Sequence, residues 1–434
     1  MLKIYNQIIS RDNFINILLA FLPLSFIAGN TIININILLL ILSVFIIHGK
    51  KVLKIEYYFL DKIIFLFFVL LLLTGAVNDI SFVIKEAWMP KFYTTLKSIA
   101  FLRFLILYLI IRFLVESNKI NFKFLFISCS FFSLFVALDI FVQLMFGKDI
   151  FGYESVGRHF SGPFGNEYIA GGYLQRFSLF SFFLFPIYFY TKFKKIIKIV
   201  IPLLFFIFFI AIEISGNRMP LILFIFSVLL ITIFQKQTRK YLIPFFVTFS
   251  ILFSLIFHYN SNVKTNFKNF YDQVSQISII IISGNYRTDK APPYYKEFAT
   301  FYDTWLLNKY IGGGIKSFRY NCHQRENIDR KSKFICNMHP HNYYLEILTE
   351  TGLIGFVLIL IILSIAVYNS LFKKYFTDSN LKKNHIITPF IFLLIAEIFP
   401  LKSTGSFFTT GNSTYFFIIF SIVVALSRTK KFNN

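Results

Sequence analysis

KIIFLFFVLLLLTGAV, residues 62–77, decides the fold. After Lys62 the run carries no charge, and only Thr74 and Gly75 interrupt its large apolar side chains. Such a run matches the hydrocarbon of a bilayer, where a spanning helix takes about 20 mostly apolar residues, fewer when flanking residues snorkel. The pattern recurs near 14–29, 31–48, 96–115, 123–146 and 167–190, then near 197–213, 219–234, 241–258, 351–372, 386–401 and 413–427. The chain therefore reads as an all-α, polytopic membrane protein with about 12 transmembrane helices.

Composition excludes the soluble classes. Of 434 residues, 56% are hydrophobic and only 15% charged, with a mean hydropathy of +0.66; a soluble domain carries about a quarter charged residues. The formal net charge is +23, from 44 Lys+Arg against 21 Asp+Glu. In a soluble chain that balance would suggest nucleic acid. Here the apolar runs come first, so no nucleic-acid partner is expected and the membrane is. The 61 Phe residues read as lipid-facing or interhelical filling.

Lys and Arg concentrate in alternate loops, and cytoplasmic loops carry that excess. With the N-terminus in the cytoplasm, the inner segments hold Lys50, Lys51 and Lys54; Arg112, Lys119 and Lys123; Lys192, Lys194, Lys195 and Lys198; Lys236, Arg239 and Lys240; Lys373, Lys374, Lys382 and Lys383; and Arg428, Lys430 and Lys431. The short outer segments hold mainly Lys85, Lys91, Lys148, Arg158, Arg218 and Lys402. Both termini are thus expected inside. Lys3 and Arg11 before a short apolar run also suit a cleaved signal peptide, but an uncleaved first helix is the preferred reading. The division expected is residues 1–260 as helices one to nine, 261–341 as a large outer loop with an amphipathic helix, and 342–434 as helices ten to twelve. A loop of about 80 residues that is not low-complexity is expected to carry function.

Four polar clusters fall on the outer side, where polar groups at a membrane edge are costly and mark function. The first runs from Gly157 to Glu167, with Arg158 available to an anion among turn residues. In the second, Ser215-Gly216-Asn217-Arg218-Met219-Pro220, the proline suits a first helical turn, so Arg218 stands at a helix N-terminus that already favours an anion. The third begins Gly284-Asn285-Tyr286-Arg287-Thr288. It continues through a helical spacing of Phe298, Phe301, Tyr302 and Trp305, expected on the membrane surface. Its run Tyr310-Ile311-Gly312-Gly313-Gly314-Ile315-Lys316 could cradle phosphate but is no P-loop. The fourth is His339-Pro340-His341-Asn342-Tyr343-Tyr344-Leu345-Glu346, followed by Thr351-Gly352-Leu353-Ile354-Gly355 as the opening of the tenth span. A helix N-terminus disfavours imidazolium, so a histidine there stays neutral and able to take a proton.

Cys322 and Cys336 leave three readings open: a disulfide, favoured in an oxidising outer compartment, two free thiols, or a zinc set with His339 and His341. Asp-x-Asp, the usual metal–diphosphate signature, does not occur in the chain. No metal and no cofactor are expected.

The order of these motifs from Gly157 to Gly355 resembles the O-antigen ligase/polymerase superfamily, and the His-Asn segment leading into span ten is the most specific part. The resemblance implies a glycosyltransferase on the periplasmic face of the bacterial inner membrane. Such an enzyme moves a glycan from undecaprenyl diphosphate to a lipid A core or a growing polysaccharide. It implies that Arg218 and Arg287 hold the lipid diphosphate with Arg158 in support, and that His341 is the base with His339 as second candidate. The chain departs from the family where Asn166-Glu167-Tyr168 replaces Asn-Pro-Asn. The residues fit the chemistry: leaving diphosphate needs fixed cations, and arginine matches phosphate geometry. A histidine base favours direct, inverting attack. Two alternatives differ in kind. One is a protein O-oligosaccharyltransferase. The other is a flippase or secondary carrier, for which Arg103, Asp139 and Arg176 within spans speak.

Overall fold

Helices make up nearly all of the described chain, because in hydrocarbon every backbone N–H and C=O must find its partner within its own segment. The computed structural model describes residues 11–84, 90–155, 159–235, 261–283, 293–324, 336, 339, 341–377, 386–403 and 405–429, with scattered positions between 239 and 258. In chain order the helices are α1 (Arg11–Ala20), α2 (Leu22–Ile27), α3 (Asn30–His48), α4 (Phe59–Ile84), α5 (Tyr93–Glu116), α6 (Phe122–Phe146), α7 (Ala170–Phe177), α8 (Leu179–Tyr188), α9 (Tyr190–Ile214) and α10 (Arg218–Phe234). Then follow α11 (Ser261–Ser283), α12 (Pro293–Trp305), α13 (Phe318–Asn321), α14 (Tyr343–Val367), α15 (Ile387–Glu397) and α16 (Thr410–Arg428). Among the described residues the only β-type pairing is the isolated bridge between Lys148 and Glu154.

Among the described residues seven helical segments are long and apolar enough to cross a membrane: Asn30–Leu53, Phe59–Ile80, Tyr93–Glu116, Phe122–Phe146, Lys195–Ile214, Tyr343–Tyr375 and Thr410–Arg428. Asp12–Ile27, Arg218–Phe234 and Ile387–Glu397 are shorter and apolar. Half of the run expected at 241–258 lies outside the described residues.

Two expectations change. The run 167–190 is not one helix: it breaks at Ser178 and again at Phe189. Its polar residues Gln175, Ser178 and Ser181 are buried in protein rather than turned to lipid. The tenth span opens at Tyr343, not at Thr351, because Asn342 caps it: its Oδ1 accepts hydrogen bonds from the N–H groups of Tyr344 and Leu345 at 3.0 and 3.1 Å. Thr351-Gly352 is instead a break within α14, where Gly352 takes φ 65°.

Alternate helix ends gather at two rims. At one, the start of α4 meets the ends of α5 and α16. The fully buried Asp61 carboxylate takes ion pairs from Arg112 at 2.8 Å and Arg428 at 3.2 Å, and accepts a hydrogen bond from Tyr108. Arg112 also pairs with Glu116 at 2.6 Å. Nearby, Asp12 pairs with His48 and Lys119, both at 3.1 Å. Between the rims the same three helices pack aromatic rings, with Phe104 stacked on Phe417 and Phe68 on Phe101. At the other rim Asp79 accepts hydrogen bonds from Thr94 Oγ1 at 2.6 Å and from the Thr95 N–H at 2.8 Å, tying the end of α4 to the start of α5.

Removing one member of a buried charge cluster strands the others, a loss of about 3–5 kcal/mol. Asp61→Ala is accordingly expected to lower the unfolding temperature of the detergent-solubilised chain well below that of an exposed-site control such as Lys148→Ala, read by thermal unfolding.

Candidate functional site

The capped start of α14 anchors the site. Asn342 holds the helix with its Oδ1, and its Nδ2 donates to the carbonyls of Pro400 and Lys402 at 2.8 and 3.2 Å. One side chain thus fixes the loop between α15 and α16 against the segment that bears the histidines. His341 adopts φ 52°, a left-handed conformation, and its ring lies 4.5 Å from that of His339. Burial pushes both imidazoles down. His339 falls to about 4, from burial first and then from the neighbouring His341, with Glu346 opposing. His341 falls from burial, again opposed by Glu346. Both rings are neutral at neutral pH.

Glu346 lies on the first turn of α14 and is fully buried. Lys316 Nζ reaches its carboxylate at 3.0 Å, and Ser406 Oγ and the Phe407 N–H donate to it at 2.5 Å each. Lys316 follows the glycine run, whose role differs from the expected phosphate cradle. The Gly313 and Gly314 N–H groups donate to the carbonyls of Thr349 and Glu350 at 3.1 and 2.8 Å. In return the Leu353 and Ile354 N–H groups donate to Lys309 and Tyr310. Asn78 and Asn308 both donate to the Gly312 carbonyl, at 2.9 and 2.7 Å. Residues 309–314 therefore lie backbone to backbone on the unwound turn of α14. There is room only for glycine: a Cβ on Gly312 would stand 2.4 Å from the Gly352 nitrogen, and one on Gly352 2.2 Å from the Tyr310 oxygen.

Cys322 and Cys336 form a disulfide with Cα atoms 5.7 Å apart, so their sulfurs bond each other and are not thiolate ligands. The bridge belongs to a small core with Phe301 and Phe318, whose rings stack at 3.5 Å. Phe301, expected on a membrane-facing stripe of α12, thus faces inward.

A second polar group joins α7, α14, α15 and α16. Arg176 Nη2 contacts Glu397 Oε1 at 2.8 Å, Asn412 Oδ1 at 2.7 Å and the Tyr343 hydroxyl at 3.2 Å. Lys402 Nζ reaches the same Glu397 oxygen at 2.5 Å, and Tyr343 donates to it at 2.6 Å. The other charges noted within spans also lie toward this rim: Arg103 donates to Thr410 at 3.2 Å, and Asp139 accepts from the Ile150 N–H at 2.8 Å.

A cavity of about 720 Å³ collects these pieces. Its lining includes Asn166, Glu167 and Tyr168 of the first sequence cluster, Asn217 and Pro220 of the second, and His339 of the fourth, together with Arg176, Ser406 and Asn412. His341 is not part of the lining, but its ring adjoins that of His339. Arg218 is exposed at the first position of α10, between the lining residues Asn217 and Pro220. Arg158 and Arg287 lie outside the described residues. Sequence reasoning passed over Glu397, although a lone carboxylate in an apolar run is itself a signal. It read Arg176 as evidence for transport, whereas its buried partner is on a helix more than two hundred residues away.

Residues 203–360 match the family model described as O-antigen ligase. This stretch of the chain is similar to the O-antigen ligase superfamily. The stretch matching the O-antigen ligase model contains Arg218, Arg287, the glycine run, the disulfide and both histidines. Arg158, Arg176, Glu397 and Lys402 lie outside it. No curated protein matches the chain.

Gly352→Ala combines a left-handed backbone with a backbone clash and is expected to lower the unfolding temperature and yield of the solubilised chain. Gly172→Ala, where nothing lies within 4 Å of the added carbon, is expected to change neither.

Proposed function

We propose that this protein transfers a glycan from undecaprenyl diphosphate to an acceptor hydroxyl on a lipid A core or a growing polysaccharide. The reaction takes place at the periplasmic face of the inner membrane, without metal and with inversion. The twelve-helix topology with both termini cytoplasmic and a loop over 261–341 belongs to the same reading. One observation carries it: a roomy cavity lined by His339, one of two adjoining neutral imidazoles, beside a helix start bearing an exposed arginine, in a chain whose residues 203–360 match the O-antigen ligase family model.

In the reaction the acceptor oxygen attacks the anomeric carbon as the bond from that carbon to the diphosphate oxygen breaks. The hydroxyl proton passes to an imidazole. His341 and His339 form the base pair, with His339 the ring an entering acceptor meets. Their neutral state is what a base requires. The leaving diphosphate gathers negative charge, which Arg218 at a helix N-terminus, Arg287 and Arg158 neutralise. A disulfide beside the histidines supports an oxidising compartment for this rim. Transport finds less support: among the described residues the buried ion pairs sit toward the two rims with aromatic packing between them, not along one polar path.

Deletion of the gene followed by glycan gel analysis tests the reading. Loss of all long chains from the core marks ligation, and core capped with a single repeat unit marks polymerisation. Unchanged glycans contradict both. Replacing both histidines by alanine is expected to abolish transfer in membranes, while an Arg218→Ala, Arg287→Ala double variant is expected to lose donor binding. Since burial holds His339 at about 4, transfer should stay level from neutral pH down to about pH 5 and fall only toward pH 4. A midpoint near the ordinary histidine value of about 6.5 would contradict this assignment of the base.

A further inference from the structure

The buried charges around Glu397, among which Arg176 lines the cavity, do not balance. The side chains of Arg176 and Lys402 are 13% and 3% exposed, and both turn to one carboxylate, Glu397, which is 1% exposed. Tyr343 and Asn412 complete the group without charge. The nearby Lys316 and Glu346 form a separate, balanced pair. Glu167 lines the same cavity but is exposed to solvent and has no need of a protein partner. Burial lowers the Lys402 ammonium to about 7 with Glu397 opposing, so with Lys402 protonated the group has one positive charge left over beside the cavity, an arrangement that costs free energy unless a counter-charge arrives. A second observation lies next to it on α7. Gln175 is 2% exposed, lines the cavity, and its Nε2 is buried without a hydrogen-bond partner. An amide donor left unmet beside a surplus cation describes the receiving end for an anionic oxygen.

We propose that this wall binds an acidic group, a phosphate or carboxylate, carried by the glycan substrate, with Arg176 supplying the charge and Gln175 an N–H donor. That the ligand is a glycan rests on the transfer reading above. It also suits the cavity, whose rings of Tyr153, Tyr168 and Tyr173 and side-chain amides of Asn30 and Asn166 offer stacking faces and hydroxyl partners. Arg176 thereby determines specificity, and it is held for that task by the carboxylate it shares with Lys402. The leftover charge has a consequence for folding. Removing Arg176 leaves Lys402 and Glu397 paired one to one, so the wall should be no less stable without it. An arginine kept only for structure behaves in the opposite way.

The test uses the full chain in detergent, titrated with a phosphorylated core oligosaccharide and the same oligosaccharide after dephosphorylation, and with a uronic-acid oligosaccharide and its methyl ester. In at least one pair the wild type should bind the acidic member roughly 10- to 100-fold more tightly, the worth of a charged hydrogen bond. Arg176→Gln should bring that ratio close to one while its unfolding temperature stays at or above that of the wild type. Gln175→Leu should weaken the acidic member and leave the neutral one unchanged. An unchanged ratio in Arg176→Gln, or a large fall in its unfolding temperature, overturns the proposal. So does displacement of the acidic oligosaccharide by undecaprenyl diphosphate alone, which would assign the anion to the donor. Glycan transfer measured in the same preparations separates the two readings. Acid-selective binding without any transfer overturns the transferase and keeps the anion site. Transfer with an unchanged ratio does the reverse.

Discussion

The site depends on one backbone crossing. Residues 309–314 lie on the turn of α14 that Gly352 unwinds, each strand of backbone donating to the other's carbonyls. In a membrane protein an unwound turn survives only where its freed groups are met by protein, and here the glycine run meets them. The crossing places Lys316 against Glu346, and Glu346 holds the loop carrying Ser406 and Phe407. On the same first turn of α14, Asn342 pins the α15–α16 loop and with it the position of Lys402. The histidines precede this turn and inherit its position. A loop segment far in sequence from the histidines is in this way part of what orients them.

Among the described residues the buried ion pairs gather toward the ends of the bundle. Asp61, Arg112, Glu116 and Arg428 close one rim, and the groups around Glu346 and Glu397 occupy the other. Part of what looks in the sequence like a free basic rim, Arg112, Lys119 and Arg428, is therefore structural. Arg112 is fully buried and Arg428 is shared between Asp61 and Glu116, so neither serves mainly to meet anionic lipid. The two rims differ in kind. At the first, Asp61 and Glu116 answer Arg112 and Arg428. At the second, the Glu397 group carries a cation to spare and borders the cavity.

How much of this was legible in the sequence follows from the range of each interaction. The apolar runs report local periodicity, and they show the class of fold directly. Where a helix begins depends on a cap, and Asn342 moved the start of α14 by about two turns from where hydrophobicity alone set it. For Cys322 and Cys336 three states were open, and spatial proximity joins them. The glycine run suggested an anion cradle because its freedom was visible while its partners, Thr349 and Glu350, were not. Arg176, Glu397 and Lys402 stand in separate segments whose meeting is tertiary, so no spacing in the sequence announces them. Phe301 looked like a membrane anchor because helical periodicity gives a face but not what covers it.

Reconstitution tests the central claim most directly. The purified chain in liposomes, supplied with an undecaprenyl-diphosphate-linked glycan and a lipid A core acceptor, is predicted to release undecaprenyl diphosphate in step with glycan appearing on the acceptor, with chelator present and with the anomeric configuration inverted. Movement of the lipid-linked glycan across the bilayer with no release of undecaprenyl diphosphate would contradict the account.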